Sequence, residues 1–228
     1  MSVETHRVLM GTSGWRHQAW INDFYSEDLP EEWQLGFYSN EFPVVYVPAS
    51  DWLDDSNIAE WTEDVADSFR FILEISENNI KDEALFIVAI NKAKSLGGFC
   101  LGLVFQLTPG LRDDIQLVQK RLGVAQTFAP VCVDMCGTPF TTEFEQLLQE
   151  QRISEVWNGE EEKNKSLTCD SLSVSRVSGD KLDMAGLRKV IEVCLSESSE
   201  GCISVLCLEG EPPSIEQLRN ADTILNLL

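Results

Sequence analysis

Basic side chains are scarce in this sequence, in which 17 lysine and arginine residues face 38 aspartate and glutamate residues. The formal net charge of the 228-residue chain is −21 at pH 7. Proteins that bind nucleic acid neutralise its phosphates with clustered Lys and Arg, and anionic membrane surfaces attract the same residues. The deficit therefore excludes nucleic acid and membranes as expected partners, although net charge says little about fold or chemistry.

Histidine and long apolar segments are also scarce. The two histidines are His6 and His17, so a classical zinc site is not expected, and the sequence indicates neither a metal nor a cofactor. The longest apolar stretch, residues 96–107, contains three glycines. It is too short to span a bilayer, which needs about 20 apolar residues.

The seven cysteines are odd in number and scattered along the chain. This pattern is typical of a reducing compartment rather than of a disulfide scaffold, so we expect a cytoplasmic protein. Cys132 and Cys136 lie four residues apart on a predicted strand, a separation of about 13 Å. One metal ion cannot join them over that distance, so we interpret both as buried structural thiols.

Short apolar, β-branched segments alternate with longer amphipathic segments along the whole chain. The predicted strands are 7–11, 44–49, 69–75, 101–107, 131–135, 153–157, 172–177 and 202–208. The predicted helices are 31–41, 58–68, 82–95, 112–122, 142–151, 184–197 and 215–228. Eight strands with crossover helices favour a closed (β/α)8 TIM-like barrel over an open doubly wound sheet. We expect one α/β domain over residues 1–228.

The sixth unit of this barrel departs from the pattern. After the strand at 153–157, residues 158–165 form a charged segment that begins with Asn-Gly, where an amphipathic helix would be expected. The sequence therefore predicts a shortened barrel whose sixth outer helix is reduced or missing.

A specific motif opens the chain: Gly11-Thr-Ser-Gly-Trp15, followed by Trp20, Phe24-Tyr25, Leu29-Pro30, Trp33, Tyr38 and Phe42. It resembles the start of the YecE-like family, also called domain of unknown function 72. Further similarities follow in the same order at Phe69-x-Phe71, 101–109, 176–179 and Asn220-Ala221, so the resemblance covers nearly the whole chain. It implies a TIM barrel and no established biochemical role.

Most of the family's polar residues at the strand ends are replaced here. In the family, lysine stands at the position of Glu74 and arginine at that of Cys136, whereas Asp134 keeps a carboxylate. The replaced positions are Tyr46, Pro48, Glu74, Cys136, Ser178 and Glu209. By comparison with the family, the ancestral polar site is largely dismantled.

Strand alternation indicates which side chains face the barrel interior. In 131–136, the apolar residues Val131, Val133 and Met135 share one face and should meet the outer helices, which leaves Asp134 facing inward. Near the carboxyl ends of the strands, where barrel active sites are built, the candidate catalytic residues are Glu74, Asp134 and Arg176. The candidate ligand-binding residues are Ser13, Trp15, Tyr46, Gln106 and Ser178.

Two functions stay open at this point. The first is a binding or interaction protein with a degenerate family site, whose partner is a small polar ligand, another protein or a second copy of the chain. The second is an enzyme that acts on a small polar metabolite with Glu74, Asp134 and Arg176. Arg176 beside a carboxylate fits either an anion-binding group or a structural ion pair.

Overall fold

Eight parallel strands form one sheet in the computed structural model, which describes residues 8–54, 57–136, 141–159, 171–198 and 201–228. The strands are β1 (Val8–Ser13), β2 (Val44–Val47), β3 (Arg70–Ile75), β4 (Cys100–Gln106), β5 (Val131–Asp134), β6 (Ser154–Glu155), β7 (Leu172–Ser178) and β8 (Ile203–Glu209). Their spatial order is β6-β5-β4-β3-β2-β1-β8-β7. All eight coincide with the predicted strands to within a few residues.

The two end strands of this order approach each other through Trp157. Its amide donates to the carbonyl of Val174 at 3.0 Å, and the amide of Arg176 donates to the carbonyl of Trp157 at 2.8 Å. This parallel bridge between Trp157 and Ser175 nearly closes the ring. The predicted (β/α)8 TIM-like barrel is therefore confirmed.

Helices surround the sheet. They are α1 (Glu31–Glu41), α2 (Ala49–Trp52), α3 (Glu77–Lys81), α4 (Glu83–Ser95), α5 (Pro109–Arg112), α6 (Ile115–Gln126), α7 (Thr142–Gln151), α8 (Met184–Glu197) and α9 (Ile215–Leu225). Four short 3-10 helices cover Gln18–Trp20, Ile58–Thr62, Gly97–Phe99 and Gly179–Lys181. Within the described ranges, no helix is long and apolar enough to cross a membrane.

The alternation of the strands divides the core into two layers. Inside the barrel, the buried side chains include Tyr46, Ile72, Val104 and Cys132. The alternate strand residues, such as Phe71 beside Ile72, pack outward against the helices. The inner layer thus ends, toward the carboxyl ends of the strands, at the positions that carry polar side chains.

The predicted helix at 58–68 is wrong. A five-residue 3-10 helix, Ile58–Thr62, takes its place and is followed by turns. Trp61 and Val65 are buried as a helical pattern would require, so the short segment fills the core without a full helix. Gly36 of α1 approaches this segment closely, since a Cβ there would lie 3.1 Å from the carbonyl oxygen of Asp64.

The segment expected to lack the sixth outer helix falls mostly outside the described residues, which stop at Gly159 and resume at Ser171. The reduced or missing helix therefore stays a prediction.

Candidate functional site

Five polar side chains from five different strands meet at the carboxyl ends of the barrel. Each occupies an inner position of its strand, two residues beyond an apolar residue of the inner core: Tyr46 follows Val44, and Glu74 follows Ile72. The members of this mouth cluster are Tyr46, Glu74, Asp134, Arg176 and Glu209.

Arg176 is the centre of the mouth cluster. Its Nε donates to Oε1 of Glu209 at 2.7 Å, and its Nη2 lies 2.5 Å from the same oxygen. Its Nη1 donates to Oδ2 of Asp134 at 2.7 Å and to the hydroxyl of Tyr46 at 3.2 Å. Oε2 of Glu74 lies 3.6 Å from Nη1. The guanidinium also stacks over the Tyr46 ring, 4.5 Å from its centroid.

Glu74 is the most buried carboxylate of the cluster, at 6% exposure. The Tyr46 hydroxyl donates to its Oε2 at 2.5 Å, and the amide of Ala49 donates to its Oε1 at 3.1 Å. The indole N–H of Trp52 donates to the backbone carbonyl of Glu74 at 2.8 Å. The chain turns from β2 into α2 at Pro48, and this turn brings Ala49 and Trp52 to Glu74.

Burial and charge set the protonation states in the cluster. Burial raises the pKa of Tyr46 well above its usual value, an effect that the guanidinium of Arg176 partly offsets. Tyr46 therefore stays a neutral hydroxyl that donates to Glu74. Burial would lower the pKa of Arg176, but its Coulombic partners raise it above the usual value. Those partners are Tyr46, Glu209, Asp134 and Glu74.

The contacts limit the chemistry of Arg176. A guanidinium that clamps an anionic substrate needs free N–H donors in its planar fork. In this structure the donors point at carboxylates and a hydroxyl of the chain itself, and three carboxylates surround one cation. The arrangement is an ion-pair cluster in which one guanidinium contacts carboxylates from three strands.

Three of the candidate ligand-binding residues lie beside members of the mouth cluster in the strand register. The pairs are Ser13 with Tyr46, Gln106 with Asp134 and Ser178 with Glu209. Trp15 lies elsewhere: it is 2% exposed and packs edge-on against Trp61, with ring centroids 4.9 Å apart. The structure thus brings seven of the eight candidates to the mouth and leaves Trp15 apart from them.

Glu209 belongs to the cluster but was not among the candidate site residues. The alternation along β8 indicates its inner position, because Val205 and Cys207, which lie in the inner core, precede Glu209 at every second residue. The pairing with Arg176 joins neighbouring strands β7 and β8, and no local pattern marks it.

An open cleft of about 650 Å³ lies beside the cluster, at the ends of β1, β2 and β8. Its walls include Ser13, His17, Asp51, Glu209 and Glu211. Nε2 of His17 lies 2.9 Å from the backbone carbonyl of Ser13, not from its hydroxyl. No nucleophile and base pair is formed between these two residues.

The structure agrees with the predicted burial of Cys132 and disagrees with that of Cys136. Cys132 is buried, and its Sγ lies 3.3 Å from the carbonyl of Leu172. Cys136 is exposed and has a positive φ of 49°, so its predicted burial is wrong; the strand ends at Asp134, and the chain turns there. Burial and the nearby Asp134 raise the pKa of the Cys136 thiol. Cys202 is disulfide-bonded, contrary to the expectation of reduced thiols.

Metal ligands are not grouped in the described part of the chain, where no cluster of three or more His, Cys, Asp or Glu side chains could hold an ion. In the mouth cluster, the guanidinium of Arg176 occupies the space between the carboxylates that a cation would need.

The fold and the site define a TIM-like barrel whose mouth carries an arginine and carboxylate cluster. The chain belongs to the DUF72 family, proteins of unknown function, whose model matches residues 9–192. A DUF72 family protein from Thermotoga maritima shares the fold with a TM-score of 0.71 and 13% identity, over 97% of this chain and 100% of that chain.

A second solved structure, an EAL enzyme called Bd1971 in a cGMP-bound form, has 12% identity and a TM-score of 0.37. It covers 69% of this chain and 37% of that chain, and a likeness this low carries no argument. No curated protein matches the chain.

Proposed function

We propose that this DUF72 protein is a binding or interaction protein in which the polar residues of the barrel mouth serve the structure rather than catalysis. The observation that supports the proposal is that Arg176 is already engaged within the chain, because its N–H groups contact Glu209, Asp134 and Tyr46. An anionic substrate at the mouth would have to displace carboxylates that are already bonded to the guanidinium. Its binding would therefore cost a buried ion pair.

A thermal-shift screen with a panel of small polar metabolites tests this proposal, using the wild type and the Asp134→Ala and Arg176→Ala variants. We expect both variants to melt at lower temperature than the wild type, and no metabolite whose stabilising effect disappears in the variants. A metabolite that raises the wild-type Tm, loses its effect in both variants and is converted by the wild type would contradict the proposal.

An enzyme acting on a small polar metabolite is the second candidate function. It is favoured by the convergence of Glu74, Asp134 and Arg176 at the carboxyl ends of the strands, where barrel active sites lie. Glu74 and Asp134 would have to serve as acid and base while Arg176 orients the substrate. The same screen separates the two functions, because turnover that depends on these three residues supports the enzyme.

A cytoplasmic location remains part of the proposal and is open to a direct test. Scattered free cysteines favour it, whereas the disulfide at Cys202 is a feature more common in oxidising compartments. Thiol labelling after rapid quenching of cells measures the state of Cys202. A labelled, reduced Cys202 supports a reducing compartment, and a blocked Cys202 contradicts it.

A further inference from the structure

A second cavity, away from the mouth cluster, lies between the first turn of α1 and the 3-10 helix Ile58–Thr62. Its volume is about 330 Å³. Two tryptophans, Trp15 and Trp61, form an apolar wall in edge-on contact, and four carboxylates surround it. The carboxylates are Glu31, Glu32, Glu60 and Asp64.

A cation of the chain itself already lies against this wall. The guanidinium carbon of Arg16 is 4.9 Å from the Trp15 ring centroid and 5.9 Å from that of Trp61. Arg16 is exposed and forms no ion pair with any described residue, and the same holds for the four carboxylates. Aromatic faces attract guanidinium and ammonium groups, so Arg16 shows which ligand chemistry the wall accepts.

Trp15 also has a buried hydrogen-bond donor that is unpaired in the described part of the chain. The residue is 2% exposed, and the donor is its Nε1. Buried indole N–H groups usually have a partner, and leaving one unpaired has an energetic cost.

The same helix exposes aromatic side chains on a stripe beside that of Glu32, outside the lining of the cavity. On α1, Trp33 is 62% exposed and Phe37 is 42% exposed, one helical turn apart. The Phe37 ring packs edge-on against Phe24 and Tyr25, whereas Trp33 offers an exposed aromatic ring of the kind that is enriched at protein–protein contacts. Trp33 stands directly after the cavity carboxylates Glu31 and Glu32 in the first turn of the helix.

We infer that the cavity and the exposed face of α1 form a docking site for a basic segment of a partner protein, in which an arginine of the partner replaces Arg16 between the tryptophans and the carboxylates. An apolar residue of the same segment would lie on Trp33. The inference rests on the proposed function, and the chain's charge of −21 complements a basic partner and favours its approach.

The test measures the binding of a short fluorescein-labelled peptide of alternating arginine and leucine by fluorescence anisotropy. At about 0.15 M ionic strength, the Debye length of about 8 Å limits long-range attraction. A Glu60→Gln, Asp64→Asn double variant should bind the peptide about tenfold more weakly, as expected for a central charged contact. The control is Glu143→Gln with Glu150→Gln on α7, which removes the same charge from another helix.

Arg16→Gln should bind the peptide a few-fold more tightly, because the protein then no longer occupies its own site. Arg188→Gln, which removes the same charge from exposed α8, should change the affinity by less than about twofold. Trp33→Ala should weaken binding about fivefold, since it removes an exposed aromatic contact.

Equal losses in the two double variants, equal effects of Arg16→Gln and Arg188→Gln, or no binding of the peptide would each overturn the inference. Free arginine that binds as tightly as the peptide would also overturn it, because the site would then belong to a small molecule. None of these substitutions changes a member of the mouth cluster, although Arg16 also lines the cleft beside it. The proposed function fails only if a metabolite is bound and converted through Asp134 and Arg176.

Discussion

At the scale of the single residue, Tyr46 has two roles in the barrel mouth. Its ring stacks on the guanidinium of Arg176, and its hydroxyl donates to Glu74. One residue thus fills the inner core and satisfies a carboxylate that is 6% exposed. A residue with both tasks leaves little room for a substrate.

Tyr46→Phe should lower the free energy of unfolding by about 1–3 kcal/mol, because Glu74 loses a buried donor while its charge stays in place. Urea unfolding monitored by circular dichroism measures the change. Tyr25→Phe is a useful comparison, since the Tyr25 hydroxyl donates to a backbone carbonyl, that of Trp15, at 2.7 Å. A Tyr46→Phe protein as stable as the wild type would contradict the role given to this hydroxyl.

At the scale of elements, the sequence predicts the strands well and the connections less well. Alternating apolar residues identify all eight strands, and the long amphipathic helices α4, α7 and α8 begin within a residue of their predicted starts. The predicted helix at 58–68 is wrong because the apolar pattern shows only that Trp61 and Val65 are buried. A short 3-10 helix followed by turns also buries both residues, and Trp61 packs against Phe71. The short helices α2, α3 and α5 carry no periodic signal of their own.

For the candidate site, the sequence predicts which side chains face inward but not which of them pair. The alternation along each strand identifies the inner side chains, and it predicts that Asp134 and Arg176 lie at the mouth, where they form an ion pair. Parity does not reveal which inner side chains pair across strands, so Glu209 was missed as a partner of Arg176. Trp15 lies beyond the end of β1, where strand alternation no longer applies, so the sequence does not indicate which way its side chain points.

Gly11 sets the approach of β1 to β2, where it pairs with Val44. A Cβ at this position would lie 1.8 Å from the carbonyl oxygen of Val44, so the two strands would have to separate. Gly11→Ala should therefore lower the free energy of unfolding by about 3 kcal/mol. Gly123 of α6, around which a Cβ meets nothing within 4 Å, is the control.

Gly123→Ala should raise stability by up to about 1 kcal/mol, because alanine is the better helix former. Urea unfolding of both variants checks the opposite signs. Equal effects of the two substitutions would show that β1 and β2 are not closely apposed at Gly11.

At the scale of the whole molecule, the charge of −21 and the burial of all three tyrosines shape the response to pH. Burial is the main cause that raises the pKa of Tyr25, Tyr38 and Tyr46 above the usual value of 10.0. Above that pH the unfolded chain loses protons that the folded chain keeps, so stability falls as pH rises. At these alkaline pH values, repulsion among the excess carboxylates also destabilises the folded chain.

We therefore expect tyrosinate absorbance to appear in one cooperative step that coincides with alkaline unfolding. Stability should be complete below about pH 10 and decline above it. Parallel titrations followed by ultraviolet absorbance and circular dichroism provide the measurement. Gradual ionisation of one or more tyrosines while the circular dichroism stays native would contradict their burial.

The distribution of charge over the whole molecule connects the proposal for the mouth cluster with the proposal for the docking site. The mouth cluster satisfies its own charges, whereas the carboxylates around Trp15 and Trp61 have no counter-charge within ion-pair distance in the described residues. Carboxylates without an ion-pair partner in the described residues therefore surround the cavity beside α1, whereas those of the mouth cluster are paired. Whether residues 1–228 fold as one domain remains a prediction that limited proteolysis can test.

The most direct test of the account is the free energy of unfolding of Arg176→Met, measured in urea with Arg188→Met as the control. Arg176 is 19% exposed and compensates three carboxylates, so its loss should cost about 3–5 kcal/mol. The exposed Arg188 pair with Glu192 should cost less than about 1 kcal/mol. Active-site residues are commonly retained at the expense of stability, and an unchanged or more stable Arg176→Met protein would contradict the structural role of the mouth cluster.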